Sequence, residues 1–154
     1  MHVDALQSAL LAWADRERRD LPWRRTRDPW AILVSELMLQ QTQVPRVVPK
    51  FSTFMARFPT PTVCAAAPRS EVVEAWAGLG YNRRAVNLHR AAAQVAELHG
   101  GAMPDQLEDL LALPGVGPYT ARAVLAFAFE HDVAVLSPLP ATPASTAAAI
   151  WLEQ

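Results

Sequence analysis

A single cysteine, Cys64, stands among 154 residues, so neither a disulfide framework nor a multi-cysteine metal site can be built within this chain. Lysine is equally scarce. Lys50 is the only one among 14 basic residues, the rest being arginine. Arginine suits bidentate phosphate contacts, but a GC-rich genome produces the same bias, and composition alone leaves both readings open. Charge of one sign is missing too: a net charge of -1 gives no bulk basic field of the kind that announces a nucleic-acid partner. No apolar run reaches the roughly 18 residues needed to span a bilayer. The opening "MHVDALQSALLAWADRERRD" has no basic start followed by an apolar core, so a soluble, cytoplasmic protein is expected. Period-two alternation is absent as well, which argues against strands.

What is present is helical periodicity, in a chain whose apolar fraction of 51% suffices for a real core. Val3, Leu6, Leu10 and Trp13 mark one face of a first helix that ends in the charged run Asp15 to Asp20. After a turn at "LPWRR", Asp28 as N-cap and Pro29 at the first helical position start a helix running to about Gln41. Pro45 and Val47 to Phe58 predict another, Thr60-Pro61 starts a short one, and Ser70 to Ala77 gives one that ends at Gly78-Leu79-Gly80. Ala85, Leu88, Ala92 and Val95 line an amphipathic helix closed by Gly100-Gly101. "PDQLEDLLAL" is short and helical, and "GPYTARAVLAFAFEH" begins a helix directly after a glycine turn. The expectation is an all-α chain with short turns. From Ser137, "SPLPATPASTAAAIWLEQ" changes style to proline, alanine, serine and threonine and reads as a tail, with a possible short helix after Ser145.

Two stretches carry chemistry. In "LPGVGPYTA", residues 113 to 121, one helix ends, the chain turns on Gly115 and Gly117, and a new helix starts at once. Glycines let the backbone approach a ligand, and the fresh helix N-terminus directs N–H groups outward, which suits a phosphate; a plain tight helix-helix turn has the same residues. In "LVSELMLQQTQV", residues 33 to 44, Glu36 sits inside an otherwise apolar helix. A buried carboxylate costs several kcal/mol unless it finds a partner, faces a cleft or takes up a proton. Glu36 could be a structural acceptor for a neighbouring helix, but Gln40, Gln41, Thr42 and Gln43 add amide and hydroxyl groups able to bond base edges, and together these resemble a site.

"LPWR", "SELMLQQTQV", "FMARFPT", "WAGLGYNRRAVNLHRAA", "HGGAMPD" and "LPGVGPYTARAV" closely resemble, in order and spacing, the A/G-specific adenine DNA glycosylases, the MutY branch of the helix-hairpin-helix glycosylases. The resemblance runs from about Leu6 to Leu136. It implies the all-α helix-hairpin-helix glycosylase fold, with the six-helix barrel domain at 25–136 largely complete. Residues 1–24 would be the N-terminal helix and turn, and 137–154 a divergent low-complexity tail.

The family removes adenine mispaired with guanine or 8-oxoguanine by hydrolysing its N-glycosidic bond after flipping the nucleotide out of the duplex. Glu36 matches the catalytic glutamate that protonates the departing base, and a carboxyl in an apolar pocket is a usable acid near neutral pH. Tyr119 matches a tyrosine lining the active site, and Arg24 a position near the adenine pocket. Gln41 and Tyr81 match residues inserted into the duplex. Gly115, Val116 and Gly117 match the element that grips a DNA phosphate. The implied partner is double-stranded DNA carrying an A·G or A·8-oxoG mispair, bound by a monomer. Endonuclease III shares the fold but carries a lysine nucleophile just after the hairpin glycines, where this chain has Pro118-Tyr119-Thr120, so a monofunctional enzyme is expected.

The departure is abrupt. Where the family leads into a motif whose aspartate stabilises the sugar cation, this chain has Ser137, and Leu139 stands for the expected asparagine. The family continues into four cysteines holding a 4Fe–4S cluster and a domain reading 8-oxoguanine. Neither is in this sequence, so no cofactor and no metal are expected on it. The tail suggests a frameshift or mis-called gene end, a C-terminally truncated member with impaired activity, or a non-catalytic DNA-binding remnant. A helical protein-interaction domain that makes no use of DNA is the third reading. In the family the first helix packs against the cluster domain, so truncation would leave the Val3, Leu6, Leu10 and Trp13 face uncovered.

Overall fold

The structure, a computed structural model, describes residues 3–17 and 20–131. Its elements are α1 (Val3–Glu17), a 3-10 turn (Pro22–Arg24), α2 (Pro29–Leu39), α3 (Val44–Arg57), α4 (Pro61–Ala66), α5 (Arg69–Ala75), α6 (Arg83–Leu98), α7 (Leu107–Leu111) and α8 (Pro118–Ala128). No strand occurs among the described residues, as the lack of alternation predicts. Nor is any helix among them long and apolar enough to cross a membrane.

The centre is α2. Every residue from Trp30 to Met38 is buried, and a helix apolar all round belongs in a core. Its start is as the sequence predicts: Asp28 Oδ1 accepts from the Trp30 N–H at 3.1 Å, and Pro29 fills the position that needs no donor. Its end comes earlier than expected, at Leu39 instead of Gln41, because Gln40 is extended and Gln41 turns left-handed at φ 58°. Around it pack α3, α6, α8 and the 3-10 turn, while α4 lies along α6. The Trp30 indole N–H donates to the Phe58 carbonyl at 2.9 Å, tying the start of α2 to the end of α3. Trp23 meets Phe51 edge-on at 5.5 Å, and Phe54 meets Trp76 likewise at 6.0 Å.

The remaining helices follow their punctuation. Thr60 caps α4 by accepting from the Val63 N–H. Ala85, Leu88, Ala92 and Val95 of α6 are all fully buried. The helix closes where Gly101 N–H reaches the Val95 carbonyl at 3.1 Å. On α1, Leu6, Leu10 and Trp13 are 62%, 56% and 49% exposed. The side chain of Val3, the apolar stretch Val133 to Leu136, Ser137, Leu139 and the helix anticipated after Ser145 lie outside the described residues and side chains.

Candidate functional site

Glu36 occupies the third turn of α2 and is 2% exposed, inside the buried run Trp30 to Met38. Its helix packs on α8, so the end of α2 and the hairpin are adjacent. The Gln40 amide seals that junction by donating to Thr120 Oγ1 at 3.3 Å. Thr42 is also engaged inside the fold, its hydroxyl donating to the Leu79 carbonyl at 3.3 Å. Of the polar cluster Gln40 to Gln43, Gln40 and Thr42 bond within the fold, Gln40 while still exposed, and Gln41 and Gln43 are exposed as well.

Gln41 and Tyr81 share an unusual backbone. Both are non-glycine residues in the left-handed region, at φ 58° and 48°, a conformation that persists only where the surroundings hold it. Both are exposed, Tyr81 at 65%. Between their turns sits Arg84, itself buried. Its Nη1 donates to the carbonyls of Leu37 and Met38, each at 2.8 Å, and to that of Gln40. Its Nη2 donates to Thr42 Oγ1 at 2.9 Å and to the carbonyls of Leu79 and Gly80 at 3.2 and 3.1 Å. Carbonyls left over at a helix C-terminus need donors, and the dipole there favours a cation. Burial lowers the Arg84 pKa from its ordinary value, with the Tyr81 side chain opposing weakly. The guanidinium lies 5.4 Å from the Trp76 ring centre and 5.8 Å from that of Tyr81.

The hairpin joins α7 to α8. Gly115 has φ 76°, and a Cβ there would come 2.8 Å from Asn87 Cβ of α6, so this glycine is required by both backbone and packing. Gly117 is different: it is the N-cap of α8, with φ -92°, no side-chain cap and open space where a Cβ would stand. Val116 is buried, its N–H donating to the Leu113 carbonyl at 3.1 Å, so any ligand here would meet backbone. Tyr119 is half-buried against Ala123 and Phe127 on the first turn of α8. Arg24 is half-buried at the end of the 3-10 turn, which packs on α2 and α3. Glu36, Gln41, Tyr119 and the hairpin are thus carried by packed elements around α2, with Arg24 on the adjoining turn.

Sequence reasoning missed Arg84. A signal existed, because it lies one turn before Leu88 on the apolar stripe that runs through Ala91 and Val95. It is the same kind of misplaced charge as Glu36.

Residues 34–145 match the pattern of an HhH-GPD superfamily base excision DNA repair protein. The chain belongs to that superfamily. It is 50% identical over 128 residues to a protein of Mycobacterium tuberculosis named adenine DNA glycosylase, covering 82% of this chain and 42% of that protein. To the human adenine DNA glycosylase it is 44% identical over 143 residues, 87% of this chain and 26% of the other. A solved thermostable thymine-DNA glycosylase superimposes with a TM-score of 0.80 at 33% identity, covering 87% and 62% of the two chains. The chain spans less than half the length of the adenine glycosylases it matches.

The iron–sulfur cluster implied by the resemblance does not fit the residues of this chain. One cysteine cannot supply four thiolates, and Cys64 is buried on α4, where burial pushes its thiol up to about 12. Among the described residues no group of three or more His, Cys, Asp or Glu side chains could hold a metal ion.

Proposed function

We propose that this chain is the catalytic-domain portion of a monofunctional adenine DNA glycosylase, acting on adenine mispaired with guanine or 8-oxoguanine in double-stranded DNA. The observation that carries the reading is Glu36, a carboxyl enclosed in the last part of the central helix, just before the turn that holds the exposed, left-handed Gln41. Adenine is a poor leaving group until protonated, and a carboxyl screened from water is suited to deliver that proton. Gln41 and Tyr81 enter the duplex as the adenosine leaves it, Tyr119 and Arg24 border the pocket, and the hairpin backbone at Gly115 and Gly117, anchored by the buried Val116 between them, holds a phosphate. The thymine-DNA glycosylase shows that related scaffolds carry proteins named for a different base, so the choice of adenine rests on the "MLQQTQV" stretch and on the similarity to proteins named for adenine.

Activity is expected to be weak. With Ser137 where the resemblance expects an aspartate, the developing sugar cation lacks its electrostatic partner, a loss commonly worth about 10²-fold or more in rate. A single-turnover assay of adenine release from an A·8-oxoG duplex tests this: Ser137→Asp should raise the rate, and Glu36→Gln in that background should abolish it. A rate in the unaltered chain near that of a full-length relative refutes the impairment. A Glu36→Gln variant that keeps its rate refutes the acid. The second reading, a DNA-binding remnant without chemistry, is favoured by Ser137 and is selected if duplex binding is salt-dependent while no variant releases adenine.

A further inference from the structure

We propose that Arg84 is a positioning residue that locks the Gln41 turn and the Tyr81 turn into one rigid unit, so that both side chains meet a duplex together. The function this serves rests on the DNA reading above; the clamp itself rests on the hydrogen bonds.

Three observations converge on it. A single guanidinium supplies donors to carbonyls or hydroxyls of Leu37, Met38, Gln40 and Thr42 on one side and of Leu79 and Gly80 on the other. Second, the Thr42 hydroxyl adds a direct bridge across the same gap to Leu79, 37 residues away in sequence. Finally, each turn contains a non-glycine residue with positive φ, and those two residues, Gln41 and Tyr81, flank the clamp. Left-handed backbone at such side chains needs external restraint, and the held Gln40 carbonyl and Thr42 hydroxyl on either side of Gln41, with the held Leu79 and Gly80 carbonyls just before Tyr81, provide it.

The arrangement requires arginine in particular. Its planar fork presents donors on two separate nitrogens, Nη1 toward the end of α2 and Nη2 toward residues 42, 79 and 80. A lysine ammonium carries its donors on one atom and cannot span both turns. The guanidinium also lies within cation–π range of both the buried Trp76 ring and the exposed Tyr81 ring, so the ring that would enter the duplex contacts the same group that holds the carbonyls just before it.

The test uses the full chain with Arg84→Lys and Thr42→Val, read by amide hydrogen exchange and by binding to a duplex with one A·8-oxoG pair. Arg84→Lys should speed exchange in residues 39–43 and 78–83 together by about tenfold or more, the effect of losing hydrogen bonds to a charged group, with α3 and α4 unchanged. Thr42→Val should loosen the same two segments to a smaller extent, and it decides the matter should Arg84→Lys fail to fold. Because the turns act as one, Tyr81→Ala should weaken mispair binding in the natural background and add almost nothing on top of Arg84→Lys. Exchange that rises in one turn only, or in neither, overturns the clamp. A full additive effect of Tyr81→Ala overturns the shared role on DNA. Failure of the unaltered chain to bind duplex refutes the DNA reading instead, and the exchange pattern then reports on the clamp by itself.

Discussion

Gly115→Ala and Gly117→Ala should separate the two jobs that a glycine hairpin performs. At Gly115 the new methyl meets two obstacles. The backbone stands at φ 76°, where a side chain costs roughly 1–2 kcal/mol. Its Cβ would lie 2.8 Å from Asn87 Cβ, with Asn87 Nδ2 and Cγ at 3.1 and 3.3 Å. Carbon atoms in contact prefer about 3.5–4.0 Å, so α6 or the hairpin must yield by nearly an ångström, an overpacking worth about 1–3 kcal/mol. The sum is about 2–5 kcal/mol, which at roughly 4 °C per kcal/mol lowers the melting temperature by about 8–20 °C. At Gly117 the same methyl points into open space from a backbone at φ -92°, which any residue adopts. Stability should hold or rise by about 0.4–1 kcal/mol. If the hairpin backbone grips a phosphate, however, the added methyl should weaken duplex binding about tenfold and flatten its salt dependence. Calorimetric melting and a fluorescence-anisotropy titration read the two effects. A Gly115→Ala protein melting within 2–3 °C of the natural chain refutes the packing argument, and a Gly117→Ala protein with unchanged affinity and salt slope refutes the phosphate grip.

Three further outcomes are expected. Cys64, its thiol pushed from 9.0 up to about 12, should react with thiol reagents at pH 8 about 10³-fold more slowly in the native state than in urea. The same shift makes its contribution to stability complete below pH 9.0 and progressively lost above it, so Cys64→Ala should show a shallower alkaline decline; rapid native labelling contradicts both. Trp30→Phe removes the donor to the Phe58 carbonyl and should cost about 1–3 kcal/mol by denaturant titration, whereas a loss under 0.5 kcal/mol means that bond is dispensable. Replacing Leu6, Leu10 and Trp13 with glutamine should raise solubility while each changes stability by less than about 0.5 kcal/mol, and a clear drop in melting temperature shows that this exposed face is covered in solution.

Helix starts were the most legible feature of the chain. Asp28-Pro29 and Thr60-Pro61 each set a side-chain cap or a fixed φ within two residues, and the structure begins α2 and α4 there. The end of α2 was not legible. Nothing local in "LQQTQV" stops a helix; the stop comes from Arg84, Leu79 and Thr120, which approach only once α6 and α8 have packed. For the same reason the polar run after Leu39 could not be divided by sequence into members that face solvent and members that tie helices together.

Glu36 and Arg84 show how far the logic of a misplaced charge can be taken. Each stands on an apolar stripe of its helix, and each is buried, so each must have its charge accommodated by specific neighbours. The accommodation differs in kind. Arg84 is surrounded by backbone carbonyls, fixed acceptors that hold a permanent cation in one pose, and this makes it a piece of architecture. A carboxyl can carry or release a proton, so the same isolation from water that demands a partner also equips Glu36 to act as an acid. The two residues sit on neighbouring helices and meet through the last turn of α2, whose carbonyls Arg84 fixes. Under the proposed function, a change at Arg84 that lets this turn unwind should therefore alter the pH profile of adenine release through Glu36 as well as duplex binding, whereas a change at Tyr81 should alter binding and leave the profile in place.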